Sequence, residues 1–169
     1  FIEERGLNEL IDAAGAGASS EVGVIVQGGL YNSTLRAMQR LGLADIYGRA
    51  RVPLYVMNVA YPLIDSELVR FCAGKRAVLL VEEGQPNYIE QGIASVLRKA
   101  DLQTVLVGKG VLPAAGEYTP THLGQGLRDF FARHAPALLP PAPPRVIPIT
   151  TIDAQVHARP PGLCTGCPE

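Results

Sequence analysis

Residues Ala77–Ala100, AVLLVEEGQPNYIEQGIASVLRKA, read as strand, tight turn and helix, and this reading decides the fold. Five unbroken apolar residues, Ala77 to Val81, suit a strand covered on both faces. The apolar run stops at Glu82, Glu83 and Gly84. Pro86 then stands where a first helical turn tolerates a missing N–H, and Asn87 with Glu90 has capping-box spacing. Ile89, Ile93, Val96 and Leu97 follow at i, i+4, i+7 and i+8, one apolar stripe for packing on a sheet. Such a unit is half of a βαβ crossover.

Upstream, Leu7, Leu10, Ile11 and Ala14 recur with helical spacing, which predicts a short amphipathic helix ending in the Gly15–Ala18 loop. VGVIVQ, Val22 to Gln27, predicts a buried strand halting at Gly28 and Gly29. A helix follows with Leu35, Met38 and Leu41 inside, Asn32 or Ser33 as its cap and Gly42 as its stop. LYVMNV, Leu54 to Val59, predicts a further strand broken by Tyr61 and Pro62. Asp65 or Ser66 then caps a helix that buries Leu68, Phe71 and Cys72 and stops at Gly74. Downstream of the central unit, QTVLV (Gln103–Val107) predicts a fourth strand. After the irregular VLPAAGEYTP comes a helix capped by Thr119, with Pro120 at its first position and Leu123, Leu127, Phe130 and Phe131 inside. Four strands alternating with helices imply right-handed crossovers and an α/β, three-layer αβα fold with a mainly parallel sheet. The crowded prolines from Pro136 to Pro148 predict an extended arm, so the domain spans 1–135 and a Pro-rich linker 136–169.

Composition narrows the function. A chain of 169 residues, 47% hydrophobic and 18% charged, fits one domain with tails. A formal charge of -1 supplies no field for nucleic acid or acidic membranes, and no apolar run reaches the roughly 20 residues of a membrane span. Three cysteines are too few for a stapled secreted fold, which points to the cytoplasm. The start at Phe1, without an initiator methionine or signal-peptide pattern, implies a piece of something longer.

Candidate chemistry gathers where the parallel strands end, the usual place for a ligand in such sheets. That rim carries Gly28, Gly29, Asn58, Tyr61, Glu82 and Glu83. The Gly28–Gly29 turn lacks a complete GxGxxG, which favours a plain tight turn over a phosphate site. Glu82 and Glu83, adjacent in an extended chain, point to opposite faces, which favours a helix-start or subunit-contact role over an acid/base pair. His122, His134 and His157 have no metal-ligand spacing. Cys164 and Cys167 form a C-x-x-C that can serve zinc, an iron-sulfur cluster or a redox pair, although two thiolates complete no four-ligand site.

LLVEEGQPNYIEQ (Leu79–Gln91), GEYTP (Gly116–Pro120) and RPPGLCTGCPE (Arg159–Glu169) together resemble the thiamine-diphosphate-dependent 2-oxoacid:ferredoxin oxidoreductases of the indolepyruvate type. The first two resemble the signature of that family's transketolase C-terminal-like, Rossmann-like domain and the loop after it; the last resembles the start of the diphosphate-binding domain. Thr165 and Glu169 depart from the family's usual Pro and His, which points to a branch acting on another 2-oxoacid. The resemblance implies an enzyme that oxidatively decarboxylates a 2-oxoacid to an acyl-CoA, using thiamine diphosphate, Mg and iron-sulfur clusters and passing electrons to ferredoxin. It implies that this domain is a non-catalytic structural or interface part, inert by itself, whose partners are other domains of the enzyme and a second subunit. Cys164 and Cys167 then match the family's Cys-rich entrance to the cofactor domain. The rival expectation is a nucleotide- or flavin-binding module at the Gly28 rim, against which stand the missing glycine fingerprint and Asn58 in place of an acidic residue.

Overall fold

A computed structural model describes residues 1–141; Cys164, Cys167, His157 and the linker from 142 onward lie outside the described residues. Five strands form one sheet in the order β1-β3-β2-β4-β5: β1 Glu9–Ile11, β2 Val22–Gln27, β3 Leu54–Met57, β4 Ala77–Val81 and β5 Val105–Val107. The helices are α1 Tyr31–Arg40, α2 Asp65–Cys72, α3 Tyr88–Lys99 and α4 Pro120–His134. Pairs β3–β2, β2–β4 and β4–β5 are parallel, so the three-layer, mainly parallel αβα arrangement expected from the sequence is the one observed.

Strand alternation sorts the core into two halves. Val22, Val24, Val26, Leu54, Val56, Leu79 and Val81 face α1 and α4, whose Met38, Leu123, Leu127, Phe130 and Phe131 are fully buried there. Ile25, Tyr55, Met57, Val78 and Leu80 face α2 and α3, with Leu68, Phe71, Ile93 and Leu97. Both faces of β4 are covered, which is why AVLLV carries no polar residue. Cys72 lies in the second half, fully buried as expected, and burial pushes its thiol up to about 11. Gly42 and Gly74 close α1 and α2 at positive φ (+69° and +71°).

Several local expectations are corrected. The opening segment is not a helix: Glu9–Ile11 pairs antiparallel with β3 and covers its edge. Long-range polar contacts impose that state. Asn8, just before the strand, donates through Nδ2 to the Tyr55 hydroxyl (3.1 Å) and the Glu67 carboxylate (3.0 Å), while its Oδ1 accepts from the Val59 N–H (2.9 Å). The Tyr55 hydroxyl donates to the same Glu67 carboxylate at 2.6 Å, so the buried acid is satisfied from two sides. The strand at 103–107 shortens to Val105–Val107 and that at 54–59 to Leu54–Met57. In α1, Thr34, Ala37 and Met38 are buried while Leu35 is only half-buried. Neither Asn32 nor Ser33 caps α1, which continues from a 3-10 turn at Gly28–Leu30, and α2 starts at Asp65 with no side-chain cap. Thr119 does cap α4, its hydroxyl accepting from the His122 N–H. The arm expected from Pro136 begins instead with a 3-10 turn, Pro136–Leu138, because Leu138 is buried against the core and its carbonyl accepts from Arg51 at 2.9 Å.

Candidate functional site

The rim residues picked out by the sequence come together at the C-terminal ends of β3, β2 and β4, in two groups. Gly28 ends β2 against Asn58 beyond β3, so close that a Cβ on Gly28 would lie 2.5 Å from the Asn58 Oδ1. A side chain at this position would have to displace the Asn58 amide. Asn58 donates through Nδ2 to the Leu7 carbonyl (3.0 Å) and the Glu9 carboxylate (3.2 Å), which ties the start of β1 to the rim. Gly29 faces open space and Tyr61 is exposed.

The second group surrounds the turn after β4. Glu82 is 5% exposed, and its two carboxylate oxygens accept from the N–H groups of Ile89 (2.9 Å) and Glu90 (3.0 Å). Those are orphan donors of the first turn of α3, so Glu82 supplies the cap that Asn87 was expected to give, and it places negative charge at the positive end of the helix dipole. Pro86 lies ahead of the helix rather than in its first turn. Glu83 points the other way, as an extended backbone requires, and its carboxylate accepts from the Tyr118 N–H while its own N–H donates to Gln27 Oε1 at 2.9 Å.

Lys109, half-buried in the loop after β5, joins these parts. Its ammonium donates to the carbonyls of Glu82 (2.6 Å) and Gly84 (2.8 Å) and to the Tyr118 hydroxyl oxygen (2.9 Å), three acceptors for three protons. Its N–H donates to the Glu90 carboxylate at 3.2 Å, and the Tyr118 hydroxyl donates onward to the Pro113 carbonyl at 2.8 Å. The loop 108–119 is thereby knitted to the turn 82–87. Lys109, Glu90 and Tyr118 were not picked out as site residues; the only local signals are a lysine between two glycines and the tyrosine of GEYTP.

Burial, and then the carboxylates of Glu82, Glu83 and Glu90, push the Tyr118 phenol up to about 12 from its ordinary 10.0. A raised phenol pKa stabilises the fold fully below pH 10.0, and that contribution is lost as pH rises to about 12. Tyr55 is raised by burial in the same direction, and Cys72 titrates on the same side of neutrality. Urea unfolding across this range should therefore show stability falling with pH, with a slope shallower by about one proton in Tyr118→Phe.

The described residues do not offer the ligands that a metal ion or an iron-sulfur cluster needs. Cys72, the one cysteine among them, is sealed in apolar core, and no group of three or more His, Cys, Asp or Glu among the described residues could hold a metal ion. The carboxylates that do converge are committed to backbone N–H groups. No described helix is long and apolar enough to cross a membrane.

No family model matches the chain. It is 30% identical over 169 residues, 99% of its length, to the indolepyruvate oxidoreductase subunit IorA of Methanothermobacter thermautotrophicus. It is 28% identical over 156 residues, 90% of its length, to the IorA subunit of Methanothermobacter marburgensis. The chain spans 24% and 22% of these relatives, about a quarter of their length. Among solved structures it is similar to a 2-oxoglutarate:ferredoxin oxidoreductase from Magnetococcus marinus with 2-oxoglutarate, coenzyme A and succinyl-CoA bound (18% identity, TM-score 0.46, 72% of this chain and 19% of that one). It is also similar to a split gene transketolase in an inactive beta4 tetramer (26% identity, TM-score 0.47, 72% of this chain and 40% of that one). The resemblance first read in LLVEEGQPNYIEQ, GEYTP and RPPGLCTGCPE thus extends along the sequence from end to end, and the chain is a relative of the indolepyruvate oxidoreductase subunit IorA that corresponds to one segment of it.

Proposed function

We propose that this chain is a structural, interface-forming part of a 2-oxoacid:ferredoxin oxidoreductase, an enzyme that decarboxylates an aryl or branched 2-oxoacid to its acyl-CoA and passes electrons to ferredoxin. The observation that carries this reading is the match along 99% of the chain to one segment of an IorA subunit. The closed rim supports the structural role: both carboxylate oxygens of Glu82 accept from backbone N–H groups, Glu83 and Glu90 each accept one more, and the Lys109 ammonium is spent on two carbonyls and the Tyr118 hydroxyl. On this reading thiamine diphosphate, Mg and the iron-sulfur clusters sit in other domains or in a second subunit, in the cytoplasm. Residues 1–135 are the bracing domain, and 136–169 lead toward the cofactor domain with Cys164 and Cys167 at its entrance.

Calorimetric titration tests the reading. The chain alone should bind neither thiamine diphosphate with Mg nor NAD, FMN or ATP. Micromolar binding of thiamine diphosphate would place the active site here and overturn it, and micromolar binding of a nucleotide or flavin would favour a ligand-binding module instead.

A further inference from the structure

Between α1 and β3, residues 43–51 fold back on themselves and carry at their tip two large apolar side chains that no described residue covers, Ile46 (83% exposed) and Tyr47 (79%). The tip is a built turn. Ala44 and Ala50 bridge antiparallel, the Arg51 N–H donates to the Leu43 carbonyl (2.8 Å), and the Asp45 N–H donates to the Arg49 carbonyl (3.1 Å). The Asp45 Oδ1 accepts from the N–H groups of Tyr47 and Arg49, both at 2.9 Å, and Gln39 on α1 donates to the Asp45 carbonyl at 2.8 Å. Gly48, at φ +82°, passes so near α1 that a Cβ on it would lie 3.2 Å from Leu35 Cδ2. The backbone that displays Ile46 and Tyr47 is therefore fixed in advance, which lowers the entropic cost of binding through them.

The described residues end beside the base of this hairpin. Arg51 donates to the Leu138 carbonyl at 2.9 Å, and a Cβ on Gly42 would lie 3.7 Å from Pro140 Cγ. Shortly downstream the sequence reads RVIPITTI (145–152), where Val146, Ile147, Ile149 and Ile152 set four β-branched apolar residues within seven positions and Pro148 disfavours a helix. So apolar a run gains by leaving water. The tip at Ile46 stands three residues beyond Leu43, roughly 10 Å along an extended backbone, whereas the six residues from Pro140 to Val146 can span up to about 20 Å. The run is therefore within reach. We propose that residues 146–152 of the same chain dock across Ile46 and Tyr47, each covering the apolar surface of the other. Where the chain leaves the domain selects this occupant: a segment tethered so close acts at an effective concentration on the order of millimolar, enough for a small apolar contact to hold. Docking there fixes the direction in which the chain continues toward Cys164 and Cys167. The contact needs only this chain and does not depend on the oxidoreductase reading.

Hydrogen exchange and isotope-edited NMR of the 169-residue chain are the test, with the double variant Ile46→Ser, Tyr47→Ser alongside. The expected result is that amides within 146–152 exchange at least about tenfold more slowly than in an unstructured chain, and that the double variant abolishes this protection. Amides of β2 and β4 should keep theirs in the variant, because neither side chain belongs to the core and the Asp45 turn uses only backbone groups at position 47. Magnetisation transfer from the Tyr47 ring to the Ile147 or Ile149 methyls should be independent of chain concentration. Unprotected exchange at 146–152 in the parent chain, protection that survives the double variant, or Tyr47 contacts made only between copies overturns the proposal. Each of these leaves the oxidoreductase reading standing, whereas binding of thiamine diphosphate to the chain alone would overturn that reading and leave this contact in place.

Discussion

Glu82→Ala is expected to destabilise the folded chain by about 2–4 kcal/mol in urea unfolding, because two charge-assisted hydrogen bonds to a helix start are lost and two part-buried donors are left without their acceptor. Glu82 is 5% exposed and its carboxylate receives both N–H groups at 2.9–3.0 Å. Glu82→Gln keeps a single acceptor oxygen and should cost less, about 1–2 kcal/mol. Hydrogen exchange should localise the damage to the first turn of α3. A carboxylate kept for binding or catalysis behaves otherwise, since its removal is commonly neutral or stabilising. A fully stable Glu82→Ala chain would therefore return Glu82 to the list of functional groups.

Lys109→Met should cost about 2–3 kcal/mol, because the thioether chain fills the same space but strands the carbonyls of Glu82 and Gly84 and the Tyr118 hydroxyl without their donor. The loss should be felt most in loop 108–119, which the ammonium joins to the turn after β4. Limited proteolysis should cut the variant within this loop under conditions where the parent chain resists, while the distant Phe130–Phe131 contact, with ring centroids 5.2 Å apart, stays protected. Equal protease resistance in both chains would show that the ammonium does not hold the loop.

These contacts also mark what could be read from the sequence. The runs VGVIVQ, LYVM and AVLLV have apolar residues on both faces, and the helices between them carry clear stripes, so the parallel core was legible. The segment at Leu7–Ala14 was misread because its spacing satisfies a helix equally well. Its strand state comes from the exposed edge of β3 and from Asn8, whose partners Tyr55 and Glu67 lie 47 and 59 residues away. Glu82 and Glu83 were legible as rim residues, since a charge directly after a buried strand stands out. Their partners were not: Glu83 meets Tyr118 across 35 residues and Glu82 meets Lys109 across 27, and no local pattern reports such closures. The cap of α3 was missed for a related reason, because an acid seven residues upstream displaced the nearer Asn87.

The most direct test of a bracing rather than catalytic rim is Glu83→Gln in an oxidoreductase assembled with this chain. If the carboxylate only ties Tyr118 to the turn after β4, then kcat and its pH profile stay as they were while Tm falls. A loss of kcat of about a hundredfold or more, the scale of a missing general acid or base, at unchanged Tm and intact assembly would contradict that role.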